Sequence, residues 1–409
     1  MISDSSPNTQ TGKHSTVLLW LGVVALIYLL LVGVGVVGDG FKWLSGGAEG
    51  AEKIFGFAKN PLFGVILGTL ATALVQSSST VSSVIVGLVA GGVPVSVGIP
   101  MIMGANMGTT ITNTIVSLGN LKEKDAFAKS FQAATVHDFF NLYSILIFLP
   151  LEVMFHPLEK LSYRMANLFV DGRGASMESA NFLGAITKPV SKSIIGVLDG
   201  LPPSIGGPLA IACGIGMIMF SVIFLGKLLR AAMTGRAQGI VDAAVGRGPV
   251  TGIASGTVVT VLVQSSSTTT SLVVPLAGAG VLTTRQVYPF TLGANIGTCI
   301  TALLAATAIT GDNKLFALQI ALSHLMYNVL GVLLFAAVPW LWSLPVRSAE
   351  WLGSRVALKR SYALAYILAV FFVLPGSVFA VEYLFFEPST TPIPDEVQRE
   401  LEESNLNIE

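Results

Sequence analysis

The chain is poor in charge. Of its 409 residues only 11% are Asp, Glu, Lys or Arg, and 23 basic side chains cancel 23 acidic ones. Soluble domains carry about 25% charged residues, so the composition excludes an ordinary aqueous fold. Zero net charge also gives no basic surface for a nucleic acid. Cysteine is nearly absent. Cys213 and Cys299 both lie in apolar segments and read as small core residues, which excludes a disulfide framework. No Asn-X-Ser/Thr sequon occurs, so N-glycosylation is not expected. Clusters of thiolate and imidazole ligands are missing, and no transition-metal site is expected. What is abundant is apolar: 52% of residues are hydrophobic, in runs that reach the roughly 20 residues a helix needs to cross a bilayer. The composition predicts an all-α polytopic membrane protein, with the lipid bilayer as its first partner.

In chain order, residues 1–15 read as a disordered polar tail and 16–37 as an uncleaved first span. The mixed stretch 39–60 suits an interfacial helix. Residues 62–75 and 84–93 are apolar but short, with a polar break between them; 95–118 and 130–154 read as spans. The N-terminal half is thus 16–155. Residues 156–206 form a polar, amphipathic connector, and 207–387 the second half, with spans at 207–226 and 362–386 and a repeat of the short-helix pair and two spans at 249–342. Basic loops at 227–247 and 347–360 place both on the cytoplasmic side by the positive-inside rule. Residues 388–409 read as a disordered acidic tail.

Two nearly identical stretches organise the chain. Gln76-Ser77-Ser78-Ser79-Thr80 recurs as Gln264-Ser265-Ser266-Ser267-Thr268. Gly64, Gly68, Thr69 and Thr72 precede the first as Gly252, Gly256, Thr257 and Thr260 precede the second. Downstream, Gly104-Ala105-Asn106-Met107-Gly108-Thr109 answers Gly293-Ala294-Asn295-Ile296-Gly297-Thr298, and Gln132, His137 and Asn141 answer Gln319, His324 and Asn328. The separations are 188, 189 and 187 residues, so two copies of one unit cover about 61–155 and 249–342. The fixed spacing of the glycines reads as close helix packing. Asp138 has no second copy; its counterpart is Leu325.

A polar pentapeptide inside an apolar segment is costly unless it is partnered or lines a wet cavity. Two such breaks at matched places are the mark of a binding site between structural repeats, and inversion of the repeats is the expectation. Each break supplies three hydroxyls, a carboxamide and the freed backbone groups of two half-helices. Such an oxygen-rich set suits sodium or a tetrahedral oxyanion. No Lys or Arg lies near either break. A buried dianion would then need co-bound cations for neutralisation, and symport with sodium follows if the ligand is anionic. A serine nucleophile would need a Lys or His base within reach, and neither break has one nearby in sequence, so an enzyme is not expected. Carriage of another oxyanion, coupled to sodium or to protons, and an ion channel are the competing readings.

The doubled Gln-Ser-Ser-Ser-Thr, Gly104-Ala105-Asn106-Met107-Gly108-Thr109-Thr110, and Ala134-Thr135-Val136-His137-Asp138-Phe139-Phe140-Asn141 together resemble the type II sodium–phosphate cotransporters. The resemblance implies a secondary transporter that takes up inorganic phosphate with sodium by alternating access, with no cofactor beyond the carried Na+. It implies that Gln76, Ser77, Ser78 and Ser79 with Gln264, Ser265, Ser266 and Ser267 line the phosphate site. It further implies sodium ligands at Asn120, Glu123, Asn141, Thr298 and Thr301, and an electrogenic sodium site at Asp138. Asn106, Thr109, Thr112 and Asn295 complete the candidate sodium set. Asn120, Glu123 and Ala294 stand where animal members carry Gln, Asp and Ser, and the large extracellular loop of those members is missing. A bacterial-type member in a plasma or inner membrane is the expectation, with the oligomeric state open.

Overall fold

In the computed structural model every element among the described residues is helical. The structure describes residues 9–380 apart from 48–49, 52–53, 55–59, 171–176, 234–244, 246, 312, 375 and 378–379. The expected tail at 388–409, residues 1–8 of the N-terminal tail, and parts of the stretches 39–60, 227–247 and 362–386 lie outside them.

The first half contains α1 (Thr9–Ser45), α2 (Pro61–Val75), α3 (Ser78–Ala90), α4 (Val95–Thr109), α5 (Ile111–Ser117), α6 (Lys124–Phe155), α7 (Pro157–Val170) and α8 (Met177–Leu198). The second contains α9 (Pro203–Met233), α10 (Pro249–Val263), α11 (Ser266–Gly278), α12 (Thr284–Thr307), α13 (Lys314–Ala337), α14 (Pro339–Leu358) and α15 (Ser361–Leu368). Among the described residues five helices are long and apolar enough to cross a membrane: Val17–Ser45 of α1, α6, Pro203–Leu229 of α9, α12 and α13. The helices α2, α3 and α10 are apolar but shorter.

Four expectations change. The first helix starts at Thr9, inside the stretch expected to be disordered, and runs to Ser45; once an apolar run has nucleated a helix, each further residue is cheap to add. The expected single span 95–118 is broken at Thr110 into α4 and α5. There the Thr109 and Thr110 hydroxyls turn back onto the carbonyls of Ala105 at 3.0 Å and Met107 at 2.7 Å. The Thr110 N–H takes the Met107 carbonyl three residues back, the tighter 3₁₀ pattern that such back-bonding favours. The expected basic loop 347–360 is mostly the C-terminal part of α14. Val346, Ala349, Leu352, Gly353 and Val356 are buried at three- and four-residue spacing, so the segment has one apolar helical face despite its charges. Likewise Lys227 lies in α9 and not in a loop.

Glycines set the closest packing. A Cβ on Gly68 would overlap the Met101 carbonyl, and one on Gly256 the Phe290 carbonyl. The facing glycines, Gly104 and Gly293, meet the Val65 and Ile253 carbonyls in the same way. Thr69 Oγ1 then donates across to Gly104 O at 3.2 Å, and Thr257 Oγ1 to Gly293 O at 3.1 Å. So α2 lies parallel to α4 as α10 lies parallel to α12, through the same small-residue contact.

The two units run through the bundle in opposite senses. The long helices α6 and α13 are antiparallel, with Phe148 on Tyr327 (5.6 Å between ring centroids) and Phe140 on Phe335 (4.9 Å). Thr284, at the start of α12, reaches Gln132 near the start of α6 at 3.3 Å. Gly98, near the start of α4, lies beside Ile320 near the start of α13. Helices α4 and α12 therefore begin at opposite ends. The stretch expected as a connector holds the two helices α7 and α8. Helix α7 is capped by Glu152, whose carboxylate accepts the N–H groups of Leu158 at 2.7 Å and Glu159 at 3.0 Å.

Candidate functional site

Each Gln-Ser-Ser-Ser run is a helix–break–helix turn, and the two are built alike. Gln76 (φ 58) and Gln264 (φ 54) adopt the left-handed conformation that ends α2 and α10. Ser77 and Ser265 are the next N-caps, each accepting the N–H of the Thr three residues on at 3.2 Å. This chemistry explains the run: a residue after a helix end that tolerates positive φ, then a serine cap. Each glutamine carboxamide is locked twice. Gln264 Nε2 donates to Val261 O at 2.7 Å and Oε1 accepts the Thr301 hydroxyl at 2.9 Å. Gln76 Nε2 donates to Ala73 O and Oε1 accepts the Thr112 hydroxyl at 2.7 Å.

The two breaks share one cavity of about 390 Å³. Gln76, Ser77 and Thr112 line it from one unit; Gln264, Ser265, Ser267, Thr268 and Ser271 from the other; Val222, Ile223 and Gly226 of α9 border it. No lining residue is charged. The first turns of α3 and α11 open there, each carrying unpaired N–H groups and the positive end of a helix dipole. Of the eight expected phosphate residues, five line the cavity; Ser78, Ser79 and Ser266 are buried within the first turns. Val222, Ile223 and Gly226 carry no mark in the sequence and look like any apolar span.

The expected sodium residues divide into groups. Thr112 and Thr301 hold the two glutamines. Thr109 and Thr298 bond back to Ala105 O and Ala294 O, each at 3.0 Å. The asparagines form a buried knot between the units. Asn106 Nδ2 donates to Asn328 Oδ1 at 2.9 Å, and Asn295 Nδ2 to Asn141 Oδ1 at 2.8 Å. His324 Nε2 pairs with Asn106 Oδ1 at 3.1 Å and His137 Nε2 with Asn295 Oδ1 at 2.7 Å. The knot obeys the same two-fold correspondence as the sequence, and none of these six residues lines the cavity. Asn120 is half-buried against Gly278, and Glu123 is exposed at the N-cap of α6 without a capping bond.

Asp138 breaks the symmetry. It is fully buried, with Oδ2 accepting the Tyr366 hydroxyl at 2.9 Å and Oδ1 without a partner. Thr110 and Thr114 flank the carboxylate. Nearby in the chain, Asn113 Oδ1 accepts Thr270 Oγ1 of α11 at 2.7 Å, while its Nδ2 has no partner. In the second unit the positions of Thr110, Asn113, Thr114 and Asp138 hold Cys299, Ala302, Leu303 and Leu325. These polar positions therefore exist in a single copy. Tyr366, outside both repeats, was not identifiable from the repeat pattern.

The Na+/Pi-cotransporter family matches residues 29–165 and 217–342, which take in both breaks, the four asparagines of the knot and Asp138. The chain is 32% identical over 434 residues to sodium-dependent phosphate transport protein 2A of Ovis aries, an alignment covering 88% of this chain and 67% of that protein. It is 33% identical over 427 residues to protein 2A of Rattus norvegicus, with the same coverage of 88% and 67%. Against sodium-dependent phosphate transport protein 2B of Homo sapiens it is 30% identical over 449 residues, 88% of this chain and 64% of that one. It thus spans about two thirds of the length of these relatives. No solved structure matches it. Taken with the doubled breaks and the knot between them, these matches assign the chain to the Na+/Pi-cotransporter family, whose members are transporters and not enzymes.

Proposed function

We propose that the chain is a sodium-dependent symporter of inorganic phosphate, working by alternating access from a site between two inverted repeats. One observation carries the reading: both Gln-Ser-Ser-Ser breaks line a single uncharged cavity, each with a helix N-terminus opening onto it. N–H groups and hydroxyls there donate to a tetrahedral oxyanion. With no Lys or Arg in the lining, a divalent phosphate needs cations carried with it, and the family and its relatives supply the identity of that cation as sodium. The helix pairs α2–α3 and α10–α11 act as re-entrant hairpins entering from opposite faces, and their broken backbone is tolerated because it borders a cavity. Alternating access then consists of one repeat rocking against the other about the asparagine knot. The ends of α9 and α14 lie on the cytoplasmic side of a cell membrane, on the sequence bias of their basic residues.

Asp138 supplies the charge balance. A buried, half-partnered carboxylate stands in one copy, so one cation site has no two-fold mate. Two sodium ions with HPO4 would be electroneutral; a third at Asp138 makes the cycle carry one net positive charge inward.

The test is uptake of radiolabelled phosphate into proteoliposomes under an inward sodium gradient, with potassium or choline as replacement, in the wild type and in Gln264→Asn. Asparagine tolerates positive φ but is one methylene too short to keep the Thr301 bond while facing the cavity. Sodium-dependent uptake that falls in the variant is expected. Uptake indifferent to sodium would refute symport, and transport of sulfate in place of phosphate would refute the substrate.

A further inference from the structure

The acid that the two-fold pattern leaves unexplained is partnered from outside both repeats. Tyr366 sits on α15, beyond the stretches 29–165 and 217–342 that the family covers. Its hydroxyl donates to Asp138 Oδ2 at 2.9 Å. Its ring packs edge-on to Phe131 with centroids 6.1 Å apart and tilted on Phe139 at 6.0 Å. The helix is pinned at its start by Arg360, whose guanidinium donates to Lys122 O at 3.0 Å. Just after Tyr366 it widens into a π turn at Ala369–Val373, a geometry found frequently at functional sites.

The other carboxylate oxygen, Oδ1, accepts no hydrogen bond. Thr110 and Thr114 flank the carboxylate, and their hydroxyls also donate to the carbonyls of Met107 at 2.7 Å and Thr110 at 3.3 Å. While those backbone bonds hold, the hydroxyl oxygens have lone pairs free for a cation beside the carboxylate. One carboxylate oxygen with two hydroxyl oxygens is a hard set for a small monovalent cation. A buried carboxylate left with one oxygen bare is costly, and a cation removes that cost.

We propose that Tyr366 is a positioning and selectivity residue for the cation site at Asp138. The phenol occupies Oδ2, leaves Oδ1 to the cation, and draws charge from the carboxylate so that the ion meets a moderate field. The inference rests on the sodium–phosphate reading above. Field strength at coordinating oxygens is one lever of alkali-ion selectivity. Without the phenol the carboxylate presents a stronger field, which holds the ion more tightly and favours the smaller Li+.

The experiment is Tyr366→Phe, which keeps the ring against Phe131 and Phe139 and removes only the hydroxyl. Phosphate uptake into proteoliposomes is measured against Na+ and against Li+ concentration. The half-saturating Na+ concentration is expected to fall about tenfold, the size of one hydrogen bond to a charged group. Li+-driven uptake is expected to rise relative to Na+-driven uptake, and the maximal rate to fall as release slows. In an Asp138→Asn background, Tyr366→Phe is expected to change neither quantity. An unchanged half-saturation and Li+/Na+ ratio, or the same shift in both backgrounds, would overturn the proposal. For an inactive variant, the Na+-dependent rise in Tm of the purified protein reads binding directly. A midpoint at lower Na+ than in the wild type supports the proposal, and an equal or higher one overturns it. Wild-type uptake that ignores sodium overturns the transport reading instead, so the two failures are distinguishable.

Discussion

The same substitution at two matched positions has unequal consequences, and the structure fixes which is larger. Thr301 and Thr112 each hold a glutamine of a break, at 2.9 Å and 2.7 Å. Thr→Val keeps shape and β-branching and removes one hydroxyl. At Thr301 both partners are buried, 2% and 7% exposed for Thr301 and Gln264. The freed Gln264 carbonyl loses a buried partner, and a buried unsatisfied group costs about 1–3 kcal/mol. If phosphate binds only the ordered break, that cost appears as a rise of about 5- to 150-fold in the half-saturating phosphate concentration. At Thr112 the pair is half-buried on one side and exposed on the other. Water replaces the lost bond there, and the cost falls toward about 0.5 kcal/mol, roughly a factor of two. The assay is the phosphate concentration dependence of sodium-driven uptake in proteoliposomes for Thr301→Val, Thr112→Val and the double variant. Equal effects, or a larger effect at Thr112, would refute the argument that burial of the break sets its contribution.

Three further outcomes are expected. Asp138→Asn should retain phosphate uptake but abolish its dependence on membrane potential; at 100 mV the lost charge is worth about 2.3 kcal/mol of driving force, and current recordings that still show one charge per phosphate would exclude Asp138 as the extra site. Gly256→Ala should destabilise the bundle by about 1–3 kcal/mol, because the new Cβ meets the Phe290 carbonyl, which cannot move without α12; a thermal melt unchanged in detergent would contradict the close packing of α10 and α12. Glu152→Ala should leave the Leu158 and Glu159 N–H groups uncapped and lower stability by about 1 kcal/mol, read as faster proteolysis of the α7 region with sodium affinity unchanged.

The sequence determined the repeat and its chemistry, because these are local. Gln76 and Gln264 sit at helix ends with serine caps after them, and the residues that make such a turn are contiguous. The glycine spacing at Gly64/Gly68 and Gly252/Gly256 likewise announces close packing, since a helix puts residues four apart on one face. Composition settled the membrane class for the same reason. Helix boundaries were less legible. The break at Thr110 depends on hydroxyls choosing backbone acceptors, and the helix at 347–358 is held by an apolar face that its arginines obscure.

Only the tertiary structure brought the two breaks to one cavity and lined it further with Val222, Ile223 and Gly226, which carry no signal of their own. Only it showed that Asn106, Asn141, Asn295 and Asn328 bond to one another and to His137 and His324, so that residues counted as ion ligands serve first to join the repeats. The pairing of Tyr366 with Asp138 spans 228 residues. A contact at that separation follows from how helices from three parts of the chain pack, and no local pattern encodes it. The chain thus wrote the parts of its site in its sequence, while their assembly was decided by packing between helices whose directions only the folded bundle reveals.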